Sequence, residues 1–160
     1  MKLTRGGEYG ILGVLYLAQQ DDGKISGLST IAKAQDVPPL FLAKVFKVLT
    51  KAGVVKSHRG VKGGFSLRKA AREITIKDVI EAIEGPIELT RDNVSAVHAV
   101  WDEAQEKMTA VLSRSNFADL AKAERRMAMT HAHSTQIPRR IDGNGCEASP
   151  SYPGLLSAKR

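Results

Sequence analysis

Three lysines carry the first chemical signal in this chain. Lys44, Lys47 and Lys51 recur at spacings of three and four, so on a helix they form a single positive stripe. On the other side of the same segment Leu42, Val45 and Leu49 repeat with the same period, flanked by Phe41, Phe46, Val48 and Ala52, which makes that side the one that packs. A few residues downstream Arg59 and Lys62 stand among Gly60, Gly63 and Gly64, and glycine lets backbone come close to whatever a loop touches. A cationic helix face beside a basic, glycine-rich loop suits the phosphates of a nucleic acid. Each half alone also fits something plainer: the stripe a solvated helix face, the loop a nucleotide-phosphate cradle. The cradle requires Gly-x-x-x-x-Gly-Lys-Ser/Thr, or Gly-x-Gly-x-x-Gly ahead of a helix, and the loop has neither spacing.

Other reactive groups are sparse. The single cysteine, Cys146, excludes an internal disulfide, a four-cysteine zinc site and any cluster held by the cysteines of one chain. Arg139 and Arg140 lie upstream of it and would favour its thiolate, so Cys146 is a candidate redox thiol, without a second cysteine to resolve it. His131 and His133, two apart in a stretch without periodicity, make a poor chelate. There is no His-Glu-x-x-His and no Ser-His-Asp setting, and the sequence reads as a non-enzyme.

The elements that must position the basic residues follow from local signals. Residues 4–20, with Tyr9, Ile11, Leu12, Val14, Leu15, Tyr16 and Leu17, are apolar around most of a helix circumference and read as a helix buried on several sides. Ser29 is the expected N-cap of a short helix over 30–35. Asp36-Val37-Pro38-Pro39 breaks the chain, and proline at the first helical position opens a third helix that runs to about Ala52 and is closed by Gly53. A short helix, a tight turn and a helix with an exposed basic stripe make a helix-turn-helix. The β-branched run Val54 to Arg59 and the run Phe65-Ser66-Leu67 then predict a hairpin beside it, a wing with Arg59 and Lys62 at its tip.

Beyond Arg72 the character changes. Thr75 caps a helix with Asp78 as its capping-box partner, Ile74 and Val79 form the staple, and Ile76, Val79, Ile80 and Ile83 make the core stripe up to Gly85-Pro86. Val94, Val97, Trp101, Ala104, Met108 and Val111 follow at spacings of 3, 4, 3, 4 and 3. So narrow a seam suits helix-to-helix packing, most simply across a two-fold axis, or else against its own domain. From about Met129 periodicity is lost, which reads as a flexible tail. The expected organisation is a DNA-binding unit over 1–86, a dimerisation helix region over 87–128 and a tail over 129–160.

Charge supports this division. Residues 1–72 hold 13 Lys+Arg against 4 Asp+Glu, residues 73–112 hold 3 against 9, and residues 113–160 hold 8 against 4, within a net charge of +7. A basic lobe followed by an acidic segment points to a polyanionic partner. Nucleic acid leads, and composition alone leaves an anionic membrane surface open. No apolar run approaches a membrane span, and Met1 to Gly10 is no export leader, so the expected location is the cytoplasm.

Together these stretches resemble the Rrf-two family of bacterial winged-helix transcription regulators. The resemblance rests on Leu3-Thr4-Arg5-Gly6-Gly7-Glu8-Tyr9-Gly10, on Val37 to Lys47, on the wing Arg59-Gly60-Val61-Lys62-Gly63-Gly64-Phe65, and on Thr75 to Pro86; it covers roughly residues 1–120. It implies a mostly α fold: a winged helix-turn-helix with a two-stranded β wing and a long C-terminal dimerisation helix. It also implies a homodimer that binds a partly palindromic double-stranded DNA operator and usually represses. Carried over position by position, the groove-reading helix spans Pro39 to Ala52, including Leu40, with Arg59 as the minor-groove arginine and Gly60 and Gly63 shaping the wing.

The sequence also departs from the family pattern. Sensor members carry three cysteines before the long helix, where this chain has Ile87-Glu88-Leu89-Thr90-Arg91-Asp92-Asn93. The ordinary iron–sulfur cluster therefore lacks its ligands. Glu8 and His98 stand at or near positions that supply other ligands in some members, but one carboxylate and one imidazole do not hold a cluster; a polar helix residue and a helix surface residue are the plainer readings. Ala43 stands where relatives often place Glu or Gln. The alternatives are a clusterless member switched by a small molecule, a partner protein or the Cys146 thiol, and, outside this class, a basic adaptor that holds RNA or a membrane. Against the adaptor stands an aromatic content of 5%, too low for rows of single-strand stacking platforms.

Overall fold

Thr4 starts the first helix, its Oγ1 accepting a hydrogen bond from the Gly7 N–H at 3.3 Å. In this computed structural model, which describes residues 3–87 and 96–134 with side chains at 96–97 and 131–134 excepted, six α-helices and one hairpin follow one another. They are α1 (Arg5–Ala18), α2 (Leu28–Ala34), α3 (Pro39–Lys51), β1 (Val55–His58), β2 (Gly64–Leu67), a 3-10 turn (Ala71–Glu73), α4 (Ile76–Glu84), α5 (Ala96–Arg114) and α6 (Phe117–Ser134). The fold is mostly helical and is a winged helix, as the sequence predicts.

Packing is organised on α1, against which α2, α3, α4, α6 and β2 all lie. Gly7, Gly10 and Gly13 are buried on it, and their missing side chains allow the close approach. A Cβ on Gly13 would stand 2.5 Å from Cε2 of the fully buried Phe46, and one on Gly10 would overlap Ile83. The core below them is Val14, Leu17, Ile31, Leu42, Phe46, Leu49, Val55, Ile74 and Val79. Glu84, at the end of α4, accepts from both the Thr4 N–H (2.8 Å) and its hydroxyl (2.9 Å). That places a carboxylate at the positive end of the α1 dipole and fastens α4 to it.

Local expectations hold at most boundaries. Pro39 is the first residue of α3, and Thr75 and Asp78 form a reciprocal capping box, Thr75 N–H to Asp78 Oδ2 at 2.8 Å and Asp78 N–H to Thr75 Oγ1 at 3.2 Å. Ser29 does not cap α2. The helix starts at Leu28 behind Gly27, an N-cap with no side chain to accept a bond, and Ser26 ahead of it makes a two-way backbone bridge with Phe65, 2.9 Å in each direction. The helix can begin as soon as that rung ends.

The larger difference lies in the C-terminal third. The long helix expected there is α5, and a second helix, α6, follows it after a break at Ser115-Asn116. Asn116 Oδ1 accepts from the Asp119 N–H at 3.0 Å and opens α6 as its cap. Backbone bonds from Ile76 N–H to the Ser115 carbonyl and from Phe117 N–H to the Ile74 carbonyl, both 3.0 Å, pin this corner to the start of α4. From there α6 returns to the domain: Phe117 and Ala121 are buried, and Arg125 donates to the Gln19 carbonyl just past α1. A guanidinium there compensates the negative end of a helix that has no basic residue in its last turn. The core therefore includes Phe117, and α6 runs to Ser134. The backbone of His131 and His133 belongs to α6. Residues 135–160, with Cys146, Arg139 and Arg140, lie outside the described residues, as do 88–95 with Val94.

Candidate nucleic-acid interface

The basic stripe is held in place by what lies behind it. On α3, Leu42, Val45, Phe46 and Leu49 are buried, so the opposite row, Leu40, Lys44, Lys47 and Lys51, is forced outward, and all four are exposed. α2 packs behind α3 with a turn through Asp36, whose φ of +51° is the one positive value on a non-glycine residue among the described residues. A short polar side chain tolerates that conformation.

The wing is set beside this row by its root. β1 and β2 pair antiparallel in the register Val55↔Leu67, Lys56↔Ser66, Ser57↔Phe65 and His58↔Gly64. Ser26 adds a further rung outside Phe65. Phe65 meets Phe46 edge to face at 4.8 Å between ring centroids, so the hairpin and α3 share one aromatic contact. Between them lies a cleft of about 480 Å³ lined by Ala43, Lys47, Thr50, Lys51, Ser57 and Phe65. Inside the hairpin His58 Nε2 and Ser66 Oγ lie 2.9 Å apart.

At the tip, Arg59, Gly60, Val61 and Lys62 are exposed, Gly60 has φ +108°, and the Gly63 N–H closes onto the Gly60 carbonyl at 2.9 Å. A Cβ on Gly63 would stand 2.6 Å from the His58 carbonyl oxygen. Among the described residues, ion pairs join Lys77 to Glu81, Lys107 to Glu103 and Lys122 to Asp119. None of these lies on the α3–wing face, so its cations are left for an external anion.

Gly64, one of the three glycines read from the sequence as allowing close approach in the loop, has its role at the root of the wing instead. A Cβ on Gly64 would drive into the Ser26 carbonyl, so glycine here is what lets the third rung form and fixes the wing against α2. Its signal was in plain view as the second glycine of Gly63-Gly64-Phe65. Gly64→Ala is expected to lower stability by about 1–3 kcal/mol through overpacking and to loosen the wing. Urea unfolding checks the first, and faster amide exchange at Ser26 and Phe65 checks the second.

The remaining predicted positions fall elsewhere. On α5 Trp101 is 53% exposed, Val111 45% and Val100 65%, Ala104 is exposed and Met108 half-buried. Val97 lies on α5 with its side chain outside the description. Among the described residues α5 packs chiefly on α4, and Trp101, Ala104 and Val111 of the seam stay exposed. Glu8 is exposed on the first turn of α1, and His98 half-buried on the first turn of α5. Among the described residues no three His, Cys, Asp or Glu side chains gather in a metal-binding group, and no helix is long and apolar enough to cross a membrane.

A trihelical core, a hairpin at its flank and a cationic row facing outward from the second helix of the turn define a winged helix-turn-helix module. The chain belongs to the Rrf2 family, whose profile, described as an iron-dependent transcriptional regulator, matches residues 3–123. It is similar to a candidate HTH-type transcriptional regulator of Mycobacterium tuberculosis, 31% identical over 131 residues, 76% of this chain and 81% of that one. It is 32% identical to the HTH-type transcriptional regulator CymR of Bacillus subtilis, over 76% of this chain and 90% of the relative. The solved structure of that CymR, described as a global cysteine regulator, superposes with a TM-score of 0.70 at 29% identity, covering 77% of this chain and 98% of CymR. A structure of IscR from T. potens gives 0.66 at 29% identity, covering 86% and 92%. The family and these relatives are transcriptional regulators, not enzymes.

The family description implies iron, and the donor set of this chain does not fit a cysteine-ligated centre. One thiol, in a segment beyond the family match, cannot supply the thiolates of an iron–sulfur cluster. Among the described residues Glu8 and His98 belong to no converging group of donors.

Proposed function

We propose that this chain is a sequence-specific, double-stranded DNA-binding repressor that acts as a homodimer on a partly palindromic operator in the cytoplasm. The observation that carries the reading is the row Lys44, Lys47 and Lys51, free of ion pairs among the described residues and opposite a buried face, beside a wing whose tip presents Arg59 and Lys62. α3 enters a major groove with Pro39 and Leu40 leading, and the lysines contact phosphates and groove edges. The wing loop, shaped by Gly60 and Gly63, lays Lys62 on the backbone and Arg59 in the flanking minor groove. The row Trp101, Ala104, Met108 and Val111 on α5, with Val94 and Val97 of the same sequence pattern, joins two protomers. It spaces their recognition helices about one turn of DNA apart, ~34 Å. Bound operator excludes polymerase.

Arg59→Ala tests the wing. The expected loss is about 1–3 kcal/mol per half-site in operator affinity, with relaxed preference at the flanking positions. Unchanged affinity in a titration of duplex against the variant contradicts the minor-groove role. Competition with single-stranded DNA or RNA separates this reading from a single-strand or adaptor role, since an operator-bound dimer should resist both.

A further inference from the structure

We infer that Leu40 is a base-reading residue whose side chain packs on the C5-methyl group of a thymine in the major groove. The inference rests on the DNA-binding reading above and gives that face its chemistry of recognition. Leu40 is 84% exposed, the most exposed large hydrophobic side chain on any helix among the described residues. Its position explains the exposure. Leu40, Lys44, Lys47 and Lys51 follow at spacings of 4, 3 and 4, one row diametrically opposite the buried Leu42, Val45, Phe46 and Leu49. The leucine is thus the N-terminal member of the cationic row. Pro38 and Pro39 fix where the helix begins, which puts Leu40 in its first turn, the part of a recognition helix that reaches base edges.

The rest of α3 leaves few other readers. From Pro39 to Lys51 it contains no Asn, Gln, Arg, Asp, Glu or His. Bidentate readers of adenine and carboxylate readers of cytosine are therefore missing from the helix. Its one hydroxyl, on Thr50, is turned back onto the Phe46 carbonyl at 2.7 Å. Phe41 is held edge-on by Tyr9 at 5.4 Å between centroids. What remains outward is lysine, which pairs with guanine O6 and N7, and two aliphatic side chains, Val48 at 41% exposure towards the far end and Leu40 in the first turn; the complement of an aliphatic group on a base edge is the thymine methyl. Ala43, one turn on and small, leaves room for the base pair to approach. Recognition by this helix is then of guanine through lysine and of thymine through Leu40.

The test uses full-length protein and a duplex selected by it from a randomised double-stranded pool. Each thymine of that duplex is replaced in turn by deoxyuridine, which removes only the methyl group. The expected result is one thymine per half-site whose replacement weakens binding about fourfold, the worth of one buried methyl-sized group, and about fifteenfold when both half-sites are changed. Leu40→Ala binds the parent duplex more weakly and is indifferent to the same replacement, whereas Leu40→Met keeps the sensitivity. Wild-type binding that ignores every deoxyuridine, or an equal penalty in Leu40→Ala, overturns the assignment while leaving duplex binding intact. Failure of the selection to enrich any duplex overturns the DNA-binding reading itself and this assignment with it. Leu40 is exposed, so its truncation leaves the core alone, and circular dichroism on both variants verifies this.

Discussion

Alanine at Lys44, Lys47 and Lys51 together is expected to remove most of the salt dependence of DNA binding. With Lys62 on the backbone, these residues make four phosphate contacts per protomer and about 8 per dimer, for which the slope of log affinity against log salt is near −7. Without the three lysines about two contacts remain, and the slope flattens to near −2. Between 50 and 200 mM salt the parent should lose roughly 10⁴ in affinity and the variant roughly tenfold. The fold should survive, since all three side chains are exposed and among the described residues none is in an ion pair. A parent slope that already lies near −2 would take the lysine row out of the interface.

Trp101→Asp should convert dimer to monomer. The indole is half exposed on a helix whose length, 19 residues or ~28 Å, is only partly covered by its own chain. A buried interface tryptophan is worth about 2 kcal/mol or more, and a two-fold dimer uses it twice. The dimer should therefore weaken by about 4 kcal/mol, roughly a thousandfold, before the cost of burying a carboxylate is added. Sedimentation at micromolar concentration reads the mass, and the unfolding midpoint of the monomer indicates whether the domain is intact. Operator affinity should fall in parallel, because one half-site no longer holds the other in place. A variant that remains dimeric would move the interface off this row.

The parts of the fold that were legible in the sequence are those set by neighbours in the chain. Pro39 at the start of α3, the Thr75–Asp78 box, the division of α3 into lysine and core faces, and the hairpin around Gly60 and Gly63 each depend on a few consecutive residues. What was hidden depends on residues far apart. Ser29 is no cap because α2 starts ahead of it, at Leu28, directly after the backbone bridge of Ser26 to Phe65, 39 positions on. Gly64 is required by that same rung. The corner at Ser115-Asn116 is weak as a breaker on its own and is made firm by Ile74, Thr75 and Ile76. α6 offers only the short pattern Phe117, Leu120 and Ala121 to a sequence reader, and α1, at the other end of the chain, is what that pattern packs against. The glycines of α1 read as gaps in an apolar helix until Phe46 and Ile83 are seen to fill them.

α6 also links the two ends of the proposed mechanism. The corner that starts it is tied to α4, α4 is tied through Glu84 to the first turn of α1, and α1 carries α3. A change in how two α5 helices meet would reach the recognition helices through packed elements. The family description names an iron-dependent regulator, and the one cysteine of this chain, Cys146, lies beyond the matched residues.

Hydroxyl-radical footprinting of the full-length protein on its selected duplex tests the central claim most directly. The account predicts two protected patches on each strand, related by approximate two-fold symmetry and one helical turn apart, ~34 Å, with further protection in the flanking minor grooves that disappears in Arg59→Ala. A single patch, uniform protection along the duplex, or binding that single-stranded DNA competes away equally well would contradict it.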